Sequence, residues 1–267
     1  MCSSDLGQAG LSAVTLAYNR DAVTVGQVHL GIGAFHRAHQ AVYNDAVLAA
    51  GDLRWGICGV SLRSPGVRDQ LAARDNRYHV MIKDGDDTRL REVGAVVQVL
   101  VAPENPASVI AAIADPAVSV VTLTVTEKGY CLNLATGELD VTHPDIAAEL
   151  EALDKPRTAV GYLVAGLRAR RNAGLGGLTL LSCDNLAENG RKLGLAVAQF
   201  AARVDPDLAR WIQHSCTFPC SMVDRIVPAT TAGDLAAGEE LLGMPDRGLV
   251  VARSEEHTSE LQSPDHL

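Results

Sequence analysis

Apolar residues along the chain fall into two patterns: short continuous runs, and stretches spaced at three and four. Residues 25–32 are an apolar run ending in Gly31 and Gly33, the pattern of a buried strand. Over 35–50, Ala38, Val42, Ala46 and Ala49 recur at helical spacing before Gly51, which predicts a helix with these residues on its inner face. A second apolar strand is predicted over 55–62. Ser64-Pro65 opens a short helix reaching residue 74, because proline suits a first helical turn. Residues 78–83 and 89–101 read as strands joined by the polar turn 84–87. A helix over 103–115 places Val109, Ile110 and Ile113 on one face, and 118–126, dense in β-branched residues, is the clearest buried strand. After an irregular stretch, 127–143, the pattern predicts helices over 145–153 and 158–172 and a strand over 178–183. Helices over 188–204 and 206–213 follow, then an apolar segment, 218–227, interrupted by Asp224-Arg225, and a last strand from 249. Near-continuous apolar strands alternating with helices imply an α/β fold, a doubly wound, mostly parallel sheet covered on both faces.

Composition narrows the class. The chain has 267 residues, 47% hydrophobic and 21% charged, which suits a globular protein with a sizeable core. No apolar run reaches the ~18 residues of a membrane helix. No basic segment followed by an apolar one marks an N-terminal secretion signal. The six cysteines lack paired spacing, so reduced thiols in a cytoplasmic protein are expected. The formal net charge of −9 argues against general nucleic-acid binding. Both ends carry a further signal. Residues 2–6 and 253–263 read as in-frame translations of one sequencing adapter in opposite orientations. Residues 1–6 and 253–267 are therefore expected to be foreign to the fold, leaving 7–252 as one dinucleotide-binding domain with no internal linker.

The strongest local signal is Gly31-Ile32-Gly33-Ala34-Phe35-His36, at a strand-to-helix turn. Two glycines there let the backbone approach a pyrophosphate, and a helix N-terminus favours its charge. A tight turn with no ligand is the competing reading, since His36 replaces the third glycine of the nucleotide fingerprint. The strand–helix–strand context favours a dinucleotide. The second strand leaves through Ser61-Leu62-Arg63-Ser64, with no acid until Asp69 to hold a ribose hydroxyl. Arg63 either meets a 2′-phosphate or faces solvent. Thr126, Glu127 and Lys128 leave the best strand at its carboxyl end, where ligands bind in open α/β sheets. Lys128 is a candidate base only if burial lowers its pKa. Asn185, at the end of the next strand, either donates a hydrogen bond to a developing alkoxide or caps a helix. His36 and His39 lie on one helix face, but no third metal ligand stands out, and no metal is expected.

Four segments together raise the reading above fold class. They are residues 31–40, 124–130, 182–186 and 222–228, the last containing Val223-Asp224-Arg225-Ile226. In this order and spacing the chain closely resembles the mannitol dehydrogenase family, the polyol-specific long-chain dehydrogenases, over essentially all of 7–252. The resemblance implies a Rossmann-like cofactor domain followed in the family by a mostly helical C-terminal domain. It implies reversible, zinc-independent oxidation of a polyol or sugar acid to its keto form with NAD or NADP. The turn at Gly31 and Gly33 would hold the pyrophosphate, and Phe35, His36, Arg63, Thr126, Glu127 and Lys128 complete the candidate cofactor-binding residues. Asn185 matches an asparagine that stabilises the substrate oxygen, and Asp224 an aspartate lining the substrate site. The family's base is a lysine in the C-terminal domain, followed by asparagine five on and histidine eight on, beyond the end of this chain. Lys128 is not that lysine. Pro65-Gly66 stands where NAD-preferring members can carry acids, so NAD versus NADP stays open. The chain is thus expected to bind cofactor without turnover. The rivals are a nucleotide-binding module that acts as a sensor, and a fragment unstable without its missing half.

Overall fold

The computed structural model describes residues 16–85, 87–133, 136–223 and 225–253. In chain order the elements begin with β1 (Val25–Leu30), α1 (Ala34–Ala38), α2 (Gln40–Ala49), β2 (Gly56–Ser61) and α3 (Gly66–Ala72). β3 (Tyr78–Asp84), β4 (Asp87–Val93), β5 (Val96–Val101), α4 (Pro106–Ile113) and β6 (Val120–Leu123) follow. The chain continues through α5 (Pro144–Glu151), α6 (Ala159–Asn172), β7 (Thr179–Ser182), α7 (Asn189–Val204), α8 (Pro206–Ser215), α9 (Ala232–Leu242) and β8 (Val250–Arg253).

Five strands form a parallel sheet in the order β5-β2-β1-β6-β7. The chain winds outward from β1 to β5, then crosses back to β6 on the other side of β1. This reversal opens a crevice at the carboxyl ends of β1 and β6. One face of the sheet buries Leu30, Val60 and Leu123 against Ile113, Leu163 and Phe200 of the helices. Such runs cannot sit in water on either side, which is why these strands read as continuous apolar segments.

The opposite face departs from the expected helical cover. A second, three-stranded sheet in the order β4-β3-β8 packs there beside α1 and α2. It forms because 89–101 is two strands rather than one. At Gly94 the chain leaves the β3–β4 hairpin and enters the main sheet. A Cβ on Gly94 would stand 2.5 Å from Leu16 and 2.9 Å from the Tyr18 hydroxyl, so a larger residue here would have to push these two side chains aside. β8 joins β3 in parallel, with Val250 beside Val80 and Arg253 beside Lys83.

The helix predicted over 35–50 is broken at His39. Its inner face also differs: Ala46 and Ala49 are exposed, whereas Asn44 and Asp45 are buried. The reason is polar. Asn44 Nδ2 donates to Gln27 Oε1 (3.1 Å) and the Trp55 carbonyl (3.0 Å), and Asp45 accepts from Tyr18 and the Gly94 amide. Residues 218–223 and 225–227 form no regular element, and α9 is a helix that the apolar pattern did not predict. Among the described residues no helix is long and apolar enough to cross a membrane.

Candidate active site

A cleft of about 630 Å³ opens where β1, β2 and β6 end. Gly31 forms its floor. Its φ of +97° lies in the left-handed region, and a Cβ there would stand 2.2 Å from the Thr124 carbonyl oxygen. Gly31 is therefore fixed by the protein itself. Gly33 is different. Its φ of −84° is open to any residue, and the nearest atom to a Cβ would be the Gly31 oxygen at 3.8 Å. Nothing in the chain requires glycine there, yet the empty volume faces the cleft. That is the geometry of a backbone kept bare for a ligand.

Beneath the turn lies a buried imidazole pair. His29 reaches Thr122 Oγ1 at 2.7 Å, Thr124 Oγ1 at 2.9 Å and the Gly31 carbonyl at 3.2 Å. The Thr124 hydroxyl also donates to that carbonyl at 2.7 Å. His36 stacks on His29 with ring centroids 3.4 Å apart. Burial pushes His29 down to about 3, while burial and then the neighbouring His29 push His36 well below the ordinary histidine value. Both rings are therefore neutral at physiological pH. His29 holds the turn through its hydrogen bonds and His36 by packing against it.

The candidates divide by position. Gly31, Gly33, Arg63, Thr126 and Lys128 line the one cleft. Glu127, with Lys128, lines an adjoining cavity of about 380 Å³. His36, 1% exposed, lies under the turn and is not brought to the cleft wall. Phe35 is half-buried and stacks on His39 at 5.1 Å. Asn185 is exposed just past β7, and Asp224 lies outside the described residues. Lys128 is exposed, so the burial on which a base role depended is missing. Arg68 is engaged by Asp69 at 2.9 Å and by Glu104, whereas Arg63 is exposed at the cleft.

Other wall residues escaped the sequence reading. Arg157, Thr158 and His143 come from the entries to α6 and α5. The fully buried Glu149 accepts from the Arg157 and Thr158 amides and the Thr158 hydroxyl, which fixes the start of α6. A carboxylate eight residues away gave no sequence signal for that contact. Burial pushes the Cys131 thiol in this wall up to about 11, so it stays protonated and is no nucleophile. Among the described residues no three His, Cys, Asp or Glu side chains gather as metal ligands.

A family profile described as the mannitol dehydrogenase Rossmann domain matches residues 25–253. The chain belongs to the mannitol dehydrogenase family. Within that family it is 44% identical over 224 residues to a protein named D-mannonate oxidoreductase from Escherichia coli (strain K12), covering 82% of this chain and 46% of that protein. It is 46% identical over 217 residues to one named mannitol 2-dehydrogenase from Cereibacter sphaeroides, covering 80% and 45%. The solved structure of Pseudomonas fluorescens mannitol 2-dehydrogenase, a ternary complex with NAD and D-mannitol, superposes with a TM-score of 0.87 at 38% identity. That match covers 90% of this chain and 50% of the other. A D-sorbitol dehydrogenase in substrate-free form gives a TM-score of 0.86 at 35% identity, covering 92% and 51%. The chain spans about half the length of the relatives it matches.

Proposed function

We propose that this chain is the cofactor-binding half of an NAD(P)-dependent oxidoreductase that interconverts a polyol or aldonate, of the mannitol or mannonate kind, with its keto form. The observation that carries the reading is Gly33: a glycine the fold does not need, bordering empty space at the switch point of a parallel sheet. In this reading the dinucleotide lies in the cleft, with Gly31 and Gly33 against the pyrophosphate and Arg63, Thr126 and Lys128 on the surrounding walls. Glu127 borders the adjoining cavity, while His36 supports the glycine turn from beneath and Phe35 packs beside it on His39. When bound, the nicotinamide supplies the hydride acceptor or donor. Asn185 helps stabilise the substrate oxygen, and Asp224 lines the substrate site. The hydroxyl proton needs its own acceptor, and exposed Lys128 does not provide one. That group is the lysine implied beyond this chain. The half-length match to the relatives supports this division of labour. The protein acts on a small molecule in the cytoplasm, and residues 7–252 are its native part.

Two outcomes follow. The chain binds cofactor but does not oxidise mannitol or mannonate; turnover near the rate of a full-length relative, followed as NAD(P)H absorbance, contradicts this. The carboxyl end of β2 presents Arg63 to the cleft, with Asp69 engaged by Arg68, so NADPH is bound at least as tightly as NADH. Arg63→Ser is expected to weaken NADPH about tenfold and NADH less than about twofold. Equal effects on the two would show that Arg63 only faces solvent.

A further inference from the structure

We propose that Asp184 is a positioning residue: its carboxylate holds Thr126 in a backbone conformation normally reserved for glycine, and so sets the β6 wall of the cleft. The inference rests on the cofactor reading for its functional meaning, but the clamp itself is geometric.

Thr126 has φ +66° and ψ 165°. A residue with a Cβ seldom enters that region unless its surroundings over-determine it. Here two successive amides converge on one carboxylate. Val125 N–H donates to Asp184 Oδ2 and Thr126 N–H to Asp184 Oδ1, both at 3.0 Å. The buried Tyr130 hydroxyl donates to Asp184 Oδ2 at 2.7 Å and also meets Ser182 Oγ. Asp184 is itself anchored. Its carbonyl accepts from Asn189 Nδ2 at 3.0 Å, and Asn189 is 1% exposed and bonded also to Ser221. The carboxylate is thus held on β7's exit and reaches across to β6's exit.

The clamp bears on the cleft directly. Thr124, Val125 and Thr126 all line it, and the Thr124 carbonyl abuts Gly31. If Thr126 relaxed to a negative φ, this wall would move relative to the glycine turn. Asp184 touches neither the cleft nor, in the cofactor reading, the cofactor, so it acts through Thr126. Asn185 is the next residue, so the same anchor fixes where that side chain leaves β7.

A double-mutant cycle on the whole chain tests this: wild type, D184N, T126G and D184N/T126G. NADH affinity is read by fluorescence and the thermal midpoint by circular dichroism. In the wild-type background D184N is expected to weaken NADH about tenfold and lower the midpoint by about 3 °C or more. In the T126G background the same change should cost less than about threefold and under about 1 °C, because glycine holds a positive φ unaided. Should D184N alone fail to fold, recovery of a cooperative transition in D184N/T126G carries the same meaning. Equal losses in both backgrounds, or no loss in either, overturn the clamp. If the wild type binds no NADH, the cofactor reading fails instead, and the midpoint coupling still decides whether Asp184 holds Thr126.

Discussion

Alanine at Gly33 is expected to leave the protein folded and to weaken NADH binding about a hundredfold, whereas alanine at Gly31 should damage the fold itself. The two glycines look alike in sequence and stand two residues apart, but they answer to different constraints. At Gly33 the backbone is ordinary and a Cβ meets nothing closer than 3.8 Å. As the residue preceding α1 it loses less than about 1 kcal/mol on becoming alanine. The methyl group would, however, occupy the volume facing the cleft, where a pyrophosphate must come within contact distance of the backbone. At Gly31 the left-handed φ and the 2.2 Å approach to the Thr124 oxygen admit no Cβ without moving β6. A cost of about 3 kcal/mol, or roughly 6–12 °C in thermal midpoint for a chain of this size, is expected. Thermal melts and NADH titrations of the two variants separate these effects. Gly33→Ala binding NADH as the wild type does would remove the main support for a nucleotide in this cleft.

Stability is expected to fall steeply as the pH drops below 6.5, driven by the buried pair of His36 and His29. In the fold this imidazole is neutral, with burial holding it down to about 3. In the unfolded chain it takes up a proton below about 6.5. Between those two values the unfolded state therefore binds more protons, and stability rises with pH, levelling off above 6.5. The slope contributed by His29 approaches about 1.4 kcal/mol per pH unit below 6.5, so lowering the pH from 6.5 to 4.5 should cost about 2 kcal/mol. His36 is depressed for the same reason and adds to the fall. Carboxylates held low, such as Asp234 beside Lys83, give up their stabilisation only in more acid solution, outside this window. Urea unfolding at pH 7.0, 5.5 and 4.5 tests the claim by comparing wild type with His29→Gln. The variant should be less stable at pH 7.0 but lose less on acidification. Parallel pH profiles would mean that His29 is not the titrating group.

The parts of the fold legible in the sequence are those governed by local burial. β1, β2 and β6 are short runs buried on both sides, β7 is an apolar edge strand, and the glycine turn after β1 is where the sequence placed it. The second sheet was hidden because Gly94 packs against Leu16 and Tyr18 and β3 pairs with β8, all far away in sequence. The α2 face was misread because it buries Asn44 and Asp45 against polar partners, so its apolar spacing pointed the wrong way. α9 left no apolar stripe because its only buried residues are Asp234 and Gly238. Its capping box, Thr231 with Asp234, and the left-handed Gly243 at its end were nonetheless readable.

The candidate site divides along the same line. Glycines and carboxyl-end positions are topological, and Gly31, Gly33, Arg63, Thr126 and Lys128 did converge. His36 sat at a fingerprint position, but its surroundings turn it under the floor, against His29. The contact between Asp184 and Thr126 spans 58 residues, and no spacing rule announces it.

Equilibrium titration of the purified chain with NADH, followed by fluorescence under conditions where it unfolds cooperatively on heating, tests the central claim most directly. Saturable one-to-one binding with a dissociation constant below about 1 mM, matched or exceeded by NADPH, is the expected result. A folded chain that binds neither nucleotide at that concentration would contradict the assignment of this cleft to a dinucleotide.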